Sequence, residues 1–131
     1  MKPTDLMLED WVLWKNRYVK IVRTCSVVYS FGHRDVWLAY CNDDNVVECH
    51  DMSKISPIPL TTEILKKNGW KDAEFWCEYQ DGKNTIQCCL PDMRGRINGI
   101  EIEHFKCEYV HQYQHLLRLC GLNELADNFK V

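Results

Sequence analysis

The segment YVHQYQHLLRLCG at residues 109–121 constrains the fold most, because it predicts one well-marked helix after a long series of strand-like segments. Its apolar side chains recur at the spacing of one helical face, at Val110, Tyr113, Leu116, Leu117 and Cys120. Gly121 stands where a glycine in the left-handed conformation ends many helices. A helix with one apolar face must cover another apolar surface, so we expect it to pack on a β-sheet.

The first half of the chain consists of short runs of β-branched and aromatic residues. We predict antiparallel strands at 10–14, 18–23, 27–29, 36–41 and 46–50, with a turn at 32–35. Four or five short strands in such a length are typical of a small curled sheet or an SH3-like barrel. The sequence therefore predicts an antiparallel, SH3-like N-terminal sheet.

A proline-containing connector and a short helix follow this sheet. Two prolines within 56–60 remove two backbone donors, which argues against a regular central strand there. Thr61 or Thr62 is suited to cap a helix over 63–68, with an acidic residue in the first turn and lysines in the last. Gly69 follows the predicted end of this helix, which has about two turns.

The second half of the chain predicts another sheet, built from a hairpin. Polar and apolar residues alternate over 73–79. The apolar face of this strand is expected to carry Phe75, Cys77 and Tyr79. Asp81 and Gly82 form a typical hairpin turn, a returning strand follows at 85–90, and a last strand is expected at 99–105.

At 131 residues, the chain has the usual length of one domain. We predict a single α+β domain over residues 1–131. Its parts are an SH3-like half (1–55), a linking helix (56–70), a hairpin-based sheet with the packed C-terminal helix (71–122) and a tail (123–131).

The charge balance excludes some partners. Sixteen basic and nineteen acidic residues give a net charge of −3, which provides no global attraction to nucleic acid or to an anionic membrane. No window approaches the roughly 18 apolar residues of a membrane span, and the first residues contain no apolar core of a secretion signal. We expect a cytoplasmic protein that binds neither nucleic acid nor membrane.

Eight cysteines are enough for a disulfide framework, but their context argues against one. The chain has no secretion signal, and its 46% hydrophobic residues can build an ordinary core. No CxxC motif is present, and most of the cysteines lie within or beside apolar runs. We predict reduced, structural thiols, with redox or metal chemistry as the alternatives, and no cofactor.

Two segments resemble a family when they are taken together, SPIPLTTEILKKNGW at 56–70 and YVHQYQHLLRLCG at 109–121. They are similar to small, uncharacterised proteins of gut Bacteroidales, their phages and mobile elements, and the start DLMLEDWV at 5–12 resembles the same family. The resemblance implies a compact cytoplasmic protein of phage or mobile-element background. It implies no catalytic residue, and the cysteine-rich middle of the chain departs from the family.

Two histidines suggest a metal site. His111 and His115 are four residues apart, which places both on one face of a helix, as in zinc-binding helices. The pair lacks the glutamate of the HExxH motif, and a third ligand would have to come from a distant residue such as Cys107 or His104. We interpret both histidines as solvated surface residues, with a metal pair as the alternative.

Residues 91–99 are the best candidate for ligand contact. Arg94 and Arg96 flank Gly95, where the backbone can approach an anion closely, and phosphate suits two guanidinium groups. We interpret the segment as a flexible hairpin loop with solvated arginines, because the phosphate-loop pattern GxxxxGK[ST] is absent, and ligand contact is the alternative.

The chain contains five tryptophans, most of which we expect in the core. Trp76 and Trp37 alternate with apolar neighbours, so they are expected on the wetter face of their sheets. An exposed indole ring would mark a binding site for a partner or a stacking platform for a base.

These features favour a non-enzymatic protein that binds a protein partner through a sheet face or a loop, with homo-oligomer formation as one form of this interaction. The first alternative is a phage counter-defence protein that sequesters a nucleotide signal. Its ligand-binding residues would be Arg94, Arg96, Trp76 and Trp37. The second alternative is a metal-dependent enzyme that uses His111 and His115. No spacing in the sequence identifies a catalytic nucleophile or acid.

Overall fold

The computed structural model describes the backbone of residues 7–29, 32–41, 46–49 and 55–131, and the side chains of 7–21 and 55–131. The chain divides into two compact units, Met1–Ile58 and Pro59–Val131. The described part contains two antiparallel sheets and three helices, so the predicted α+β class is confirmed.

The first unit contains a five-stranded antiparallel sheet in the order β4-β3-β2-β1-β5. Its strands are β1 (Trp11–Trp14), β2 (Arg17–Tyr29), β3 (Gly32–Cys41), β4 (Val46–Cys49) and β5 (Ile55–Ser56). Lys15 and Asn16 join β1 to β2 and have φ angles of 49° and 61°, the left-handed conformation that tight hairpins favour. The short strand β5 pairs with β1 on the side opposite β2.

Two local predictions for this sheet are wrong. Residues 18–23 and 27–29 belong to one strand, because 24–26 pair without interruption with 35–37 of β3. The segment 24–26 contains no glycine, proline or asparagine that would favour a turn. The predicted turn at 32–35 is instead the beginning of β3. The SH3-like description of this unit stays a prediction.

The second unit begins with the predicted short helix, α1 (Thr62–Lys67). Thr61 is its N-cap, and the Thr61 hydroxyl accepts the backbone N–H of Ile64 at 3.2 Å. Pro59, just before the helix, forms an isolated antiparallel bridge with Tyr109. The predicted connector and capped helix are therefore confirmed.

The second sheet is five-stranded and antiparallel, in the order β10-β9-β8-β7-β6. Its strands are β6 (Lys71–Asp72), β7 (Cys77–Asp81), β8 (Asn84–Cys89), β9 (Asp92–Ile97) and β10 (Ile100–Lys106). The prediction of a loop at 91–99 is wrong, because β9 occupies most of it and pairs with both β8 and β10. Arginine and glycine have little intrinsic preference for strands. The strand conformation of this segment therefore results from pairing with the neighbouring strands.

The C-terminal helix, α2 (Val110–Leu119), confirms the predicted apolar stripe. The buried side chains of that stripe are Val110, Tyr113, Leu116, Leu117 and Cys120. Tyr113 packs edge-on against Trp70 with ring centroids 5.9 Å apart, and Trp70 lies 5.9 Å from Tyr79 of β7. These aromatic contacts connect the helix to the inner face of the second sheet.

The predicted tail at 123–131 contains a further helix, α3 (Asn123–Asp127). The Gln114 amide of α2 is fully buried and donates to the Ala126 carbonyl at 3.0 Å. Phe129 is also buried, with its ring edge-on to Tyr113 at 5.4 Å. The segment is therefore docked on α2 and forms part of the core of this unit.

Candidate functional site

The outer face of the second sheet carries polar side chains, while the inner face carries the core. Along β9, Met93 and Ile97 are buried, whereas Arg94 and Arg96 are exposed. The strand register places Gln87 of β8 directly opposite Arg94. Alternation therefore brings the two predicted arginines to one solvent-facing surface.

A hairpin tip lies between β6 and β7. The Ala73 N–H donates to the Trp76 carbonyl at 2.7 Å, which closes the hairpin and leaves Glu74 and Phe75 at its tip. Phe75 is 76% exposed. The prediction that Phe75 shares the buried face of Cys77 is wrong, because the strand begins at Cys77 and alternation does not extend into the turn.

Trp76 lies between this tip and β7 and is half-buried. Its indole Nε1–H donates to the Glu78 carboxylate at 3.3 Å, which satisfies the only polar group of the ring. The ring of Phe75 lies beside it, with centroids 6.5 Å apart and the planes inclined by 42°. The two rings form an aromatic wall with accessible apolar surface.

This aromatic wall borders a cavity of about 360 Å³, which we call the outer-face pocket. The pocket is lined by Phe75, Trp76, Gln87, Cys88, Cys89, Asp92 and Arg94. Trp76 and Arg94, two of the residues proposed from the sequence, thus contribute to one site. The sequence analysis did not propose Gln87, Asp92 or Phe75 as site residues. If residues 92–97 are assigned to a strand, alternation places Asp92 beside Arg94 on the outer face.

Arg96 lines an adjoining cavity of about 350 Å³, which Arg94 also borders. Glu101 and Glu103 line the same cavity, and Glu101 is the register partner of Arg96. Both arginines therefore have acidic side chains in the cavities that they line, Glu101 and Glu103 in this one and Asp92 in the outer-face pocket.

The ion pairs of the second unit are formed by other side chains. Asp92, the one carboxylate that lines the outer-face pocket, lies 3.3 Å from Nδ1 of His104. Lys66 pairs with Asp72, and Arg118 pairs with Asp127. Within the described side chains, Arg94 and Arg96 form no ion pair, so their guanidinium groups are available to a ligand.

Gly95 has a different role from the predicted one. It has a φ of +143°, and a Cβ atom there would overlap the carbonyl oxygen of Thr85 on β8. The glycine therefore allows a close approach between two strands, and not the approach of an anion to the backbone. The arginines on either side of it can bind a ligand only through their side chains.

The remaining predicted site residues do not join the outer-face pocket. Trp37 lies on β3, opposite Thr24, and its side chain is outside the described residues. His111 is buried at 7% exposure, so the prediction of two solvated histidines is wrong for this one. Its ring stacks on Tyr109 at 6.0 Å and meets His115 at 5.6 Å. Burial of α2 therefore extends beyond the predicted apolar stripe.

The histidine pair gains no further ligand in the described region. Among the side chains described at 7–21 and 55–131, no three His, Cys, Asp or Glu residues are placed to hold a metal ion. The metal-dependent enzyme remains an untested hypothesis.

The cysteines of the second unit are free, and four of the five are buried, in agreement with structural thiols. Burial raises the pKa of the Cys88 thiol to about 12, with Cys77 on the neighbouring strand as a further cause. Burial also raises the pKa of the Cys107 thiol to about 12. These thiols are protonated at neutral pH and are poor nucleophiles. Cys89, which lines the outer-face pocket, is exposed.

Comparisons of the chain with protein-family models, with curated proteins and with solved structures give no match in any of the three. No helix in the described part of the chain has the length and apolar character required to cross a membrane. The geometry of the outer-face pocket is thus the basis for a functional proposal.

Proposed function

We propose that this chain is a non-enzymatic binding protein whose outer-face pocket binds a protein partner. The observation that carries the proposal is the position of Phe75, 76% exposed at a hairpin tip beside Trp76 and Arg94. Tryptophan and arginine are enriched among the residues that dominate binding energy in protein interfaces, and phenylalanine is enriched in their cores.

The exposed ring has no role in the core of the second unit. Its one aromatic contact is with Trp76, at a separation that leaves much of both rings accessible to a partner. Full burial of a phenylalanine side chain is worth about 1.5–3 kcal/mol, enough to anchor an interface. Removal of the ring should therefore weaken binding while the protein stays folded.

Affinity purification from a lysate of the organism that encodes the chain tests this proposal. The variants are Phe75→Ala and Trp76→Ala, and the matched control is Leu119→Ala, because Leu119 is equally exposed at 76% but does not line the pocket. We expect a protein retained by wild type and by the control to be lost with both pocket variants. Equal retention by all four proteins would contradict the proposal.

The bound protein in this proposal is either a different chain or a second copy of this one. Light scattering coupled to size-exclusion chromatography separates the two cases. A dimer that dissociates on Phe75→Ala and persists in Leu119→Ala would identify the partner as a second copy. A monomer in all variants directs the search to a different chain.

A nucleotide ligand is the second candidate, because Trp76 and Arg94 line one pocket. A base could stack on the indole ring, and the guanidinium group could bind a phosphate. This function would suit the phage or mobile-element background that the resemblance implies. Titration calorimetry with adenosine monophosphate, guanosine monophosphate and inorganic phosphate tests it. Binding of a nucleotide that is lost in Arg94→Ala supports this candidate, and absence of heat with all three probes contradicts it.

A further inference from the structure

The strand β10 forms one edge of the second sheet. Among the described strands it pairs with β9 alone, and no strand follows it in the strand order. Five of its seven residues are exposed, and the other two are half-buried. An edge strand of this kind presents unpaired N–H and C=O groups, which can pair with a strand of another chain.

The backbone of Glu101 points to the open side of β10. Ile97 and Ile100 flank the two-residue turn between β9 and β10, so they form a hydrogen-bonded pair. Hydrogen-bonded and non-hydrogen-bonded pairs alternate along antiparallel strands. The next residue, Glu101, therefore directs its N–H and C=O groups away from β9.

The backbone of Lys106 points to the same open side at the other end of the strand. The Cys107 N–H donates to the Pro91 carbonyl at 2.8 Å, which is a bond on the β9 side. Lys106 precedes Cys107 and has Asp92 as its register partner. By the same alternation, its N–H and C=O groups are directed away from β9.

A bulge lies between these two positions. The register shifts between Ile102 and Phe105, and His104 within the bulge has a φ of 54°. A bulge and charged side chains protect many edge strands from pairing. Here the bulge lies midway between Glu101 and Lys106. A second copy of β10 that runs antiparallel can therefore place its own bulge opposite the first while the segments on both sides stay paired.

We propose that two copies of the chain pair through β10, antiparallel and about a two-fold axis at the bulge, with Glu101 of each copy opposite Lys106 of the other. This arrangement, which we call the two-fold register, joins the two five-stranded sheets into one continuous sheet. Glu101 and Lys106 lie outside the lining of the outer-face pocket. The inference therefore concerns a second surface and goes beyond the proposed function.

Charge is the first argument for a second copy as the partner. In the two-fold register, one row of side chains across four strands alternates in sign: Arg96 and Glu101 of one copy, then Lys106 and Asp92 of the other. Lys106 also lies 3.8 Å from Glu108 of its own chain. Both of these side chains are exposed, so the pair is weak and leaves Lys106 able to contact Glu101 of the second copy.

Apolar contact is the second argument. Ile102 and Phe105 belong to the inner face of the sheet, where their register partners are Gly95 and the buried Met93. Both side chains are only half-buried in the single chain. In the two-fold register, Ile102 of each copy lies opposite Phe105 of the other. The apolar inner face thus continues from one copy into the next.

One contact at the axis is unfavourable. Glu103 is exposed within the bulge, so the two-fold register brings the Glu103 side chains of both copies together. Arg94 lines a cavity with Glu103, and His104 contacts Asp92 at 3.3 Å, so each copy partly balances its own charge here. The contact between the two Glu103 carboxylates stays repulsive. Glu103→Gln should therefore strengthen the dimer.

Sedimentation velocity of the full chain over about 1–500 µM tests the inference. We expect a reversible dimer. Lys106→Glu should weaken dimerisation at least about tenfold. The matched control is Lys83→Glu, the same charge reversal at an exposed residue in the turn between β7 and β8, which should change the dissociation constant less than about threefold.

A double reversal excludes misfolding as the cause. The variant Glu101→Lys with Lys106→Glu again has opposite charges across the interface, although its new lysine lies opposite Arg96. It should dimerise at least about threefold more tightly than either single reversal. A misfolded chain would not recover dimerisation on a second substitution.

The outcomes separate this inference from the proposed function. A chain that stays monomeric up to about 500 µM, or that loses no more affinity in Lys106→Glu than in Lys83→Glu, would overturn the inference. A Glu103→Gln variant that dimerises no more tightly than wild type would overturn the two-fold register. We expect the dimer to persist in Phe75→Ala. A dimer that is lost in Phe75→Ala but not in Lys106→Glu would overturn the inference and support the proposed function.

Discussion

The side chain of Asn68 pairs with the backbone of Lys130 through two hydrogen bonds. The amide nitrogen donates to the Lys130 carbonyl at 2.7 Å, and the amide oxygen accepts the Lys130 N–H at 2.8 Å. The same nitrogen also donates to the carbonyl of Ile64 in α1, at 2.8 Å. The Asn68 side chain thus satisfies a carbonyl group at the end of α1. It also holds the backbone of Lys130, which follows the buried Phe129.

Replacement of Asn68 by Ala should destabilise the second unit by about 1–2 kcal/mol, because it removes three partly or fully exposed hydrogen bonds. The measurements are urea unfolding and hydrogen exchange of residues 129–131, which should exchange faster in the variant. Lys67→Ala is the control, because Lys67 is exposed on the same helix. Unchanged exchange at 129–131 would show that Asn68 does not hold this segment.

Gly95 and Gly99 can be compared in a test of strand packing. Both have positive φ angles, +143° and +80°, so replacement by Ala raises the conformational energy of the backbone at each position. Only at Gly95 would the new methyl group also overlap the backbone of β8, whereas nothing lies within 4 Å at Gly99.

We expect Gly95→Ala to be less stable than Gly99→Ala by at least about 2 kcal/mol, since the Thr85 backbone cannot move without breaking strand pairing. Thermal and urea unfolding of the two variants give the difference. Similar stabilities for the two variants would disprove the close approach of β8 and β9 at this position.

The buried thiols predict a loss of stability at alkaline pH. The pKa values of Cys88 and Cys107 rise from 9.0 to about 12 in the folded chain because of burial. Above pH 9 the unfolded chain loses these protons while the folded chain keeps them, so the free energy of unfolding falls as the pH rises towards 12. Each thiol contributes at most about 1.4 kcal/mol per pH unit in this window.

Urea unfolding over a pH series measures this slope. Cys88→Ala should reduce it, because the variant lacks one of the two buried thiols whose pKa is raised. An equal slope in wild type and Cys88→Ala would show that the Cys88 thiol is not protected from ionisation.

Exposure also predicts the order in which thiols react. Cys89 should react with iodoacetamide at least about tenfold faster than Cys77, Cys88, Cys107 and Cys120 in the folded protein, because those four are buried. Peptide mass mapping after short exposure to the reagent gives the rates. In urea the five thiols should react at comparable rates, and equal rates in the folded protein would contradict the burial of the other four.

The helices α1 and α2 could be predicted from the sequence because their signals are local, whereas α3 was not predicted. Thr61 caps α1, and the apolar spacing from Val110 to Cys120 defines the buried face of α2, each within a few residues of the chain. Gly121, with a φ of +83°, likewise follows α2 as its residue type predicts. The β7–β8 hairpin followed from Asp81 and Gly82 for the same reason.

The candidate site was determined by the tertiary structure. Arg94 became a strand residue only because β8 and β10 pair on both sides of it, and Phe75 became exposed because a turn precedes β7. His111 is buried although the apolar spacing of the helix does not include it. Pairing and burial depend on residues far apart in the chain, so the meeting of Trp76 and Arg94 required the folded sheet and could not be read from local pattern alone.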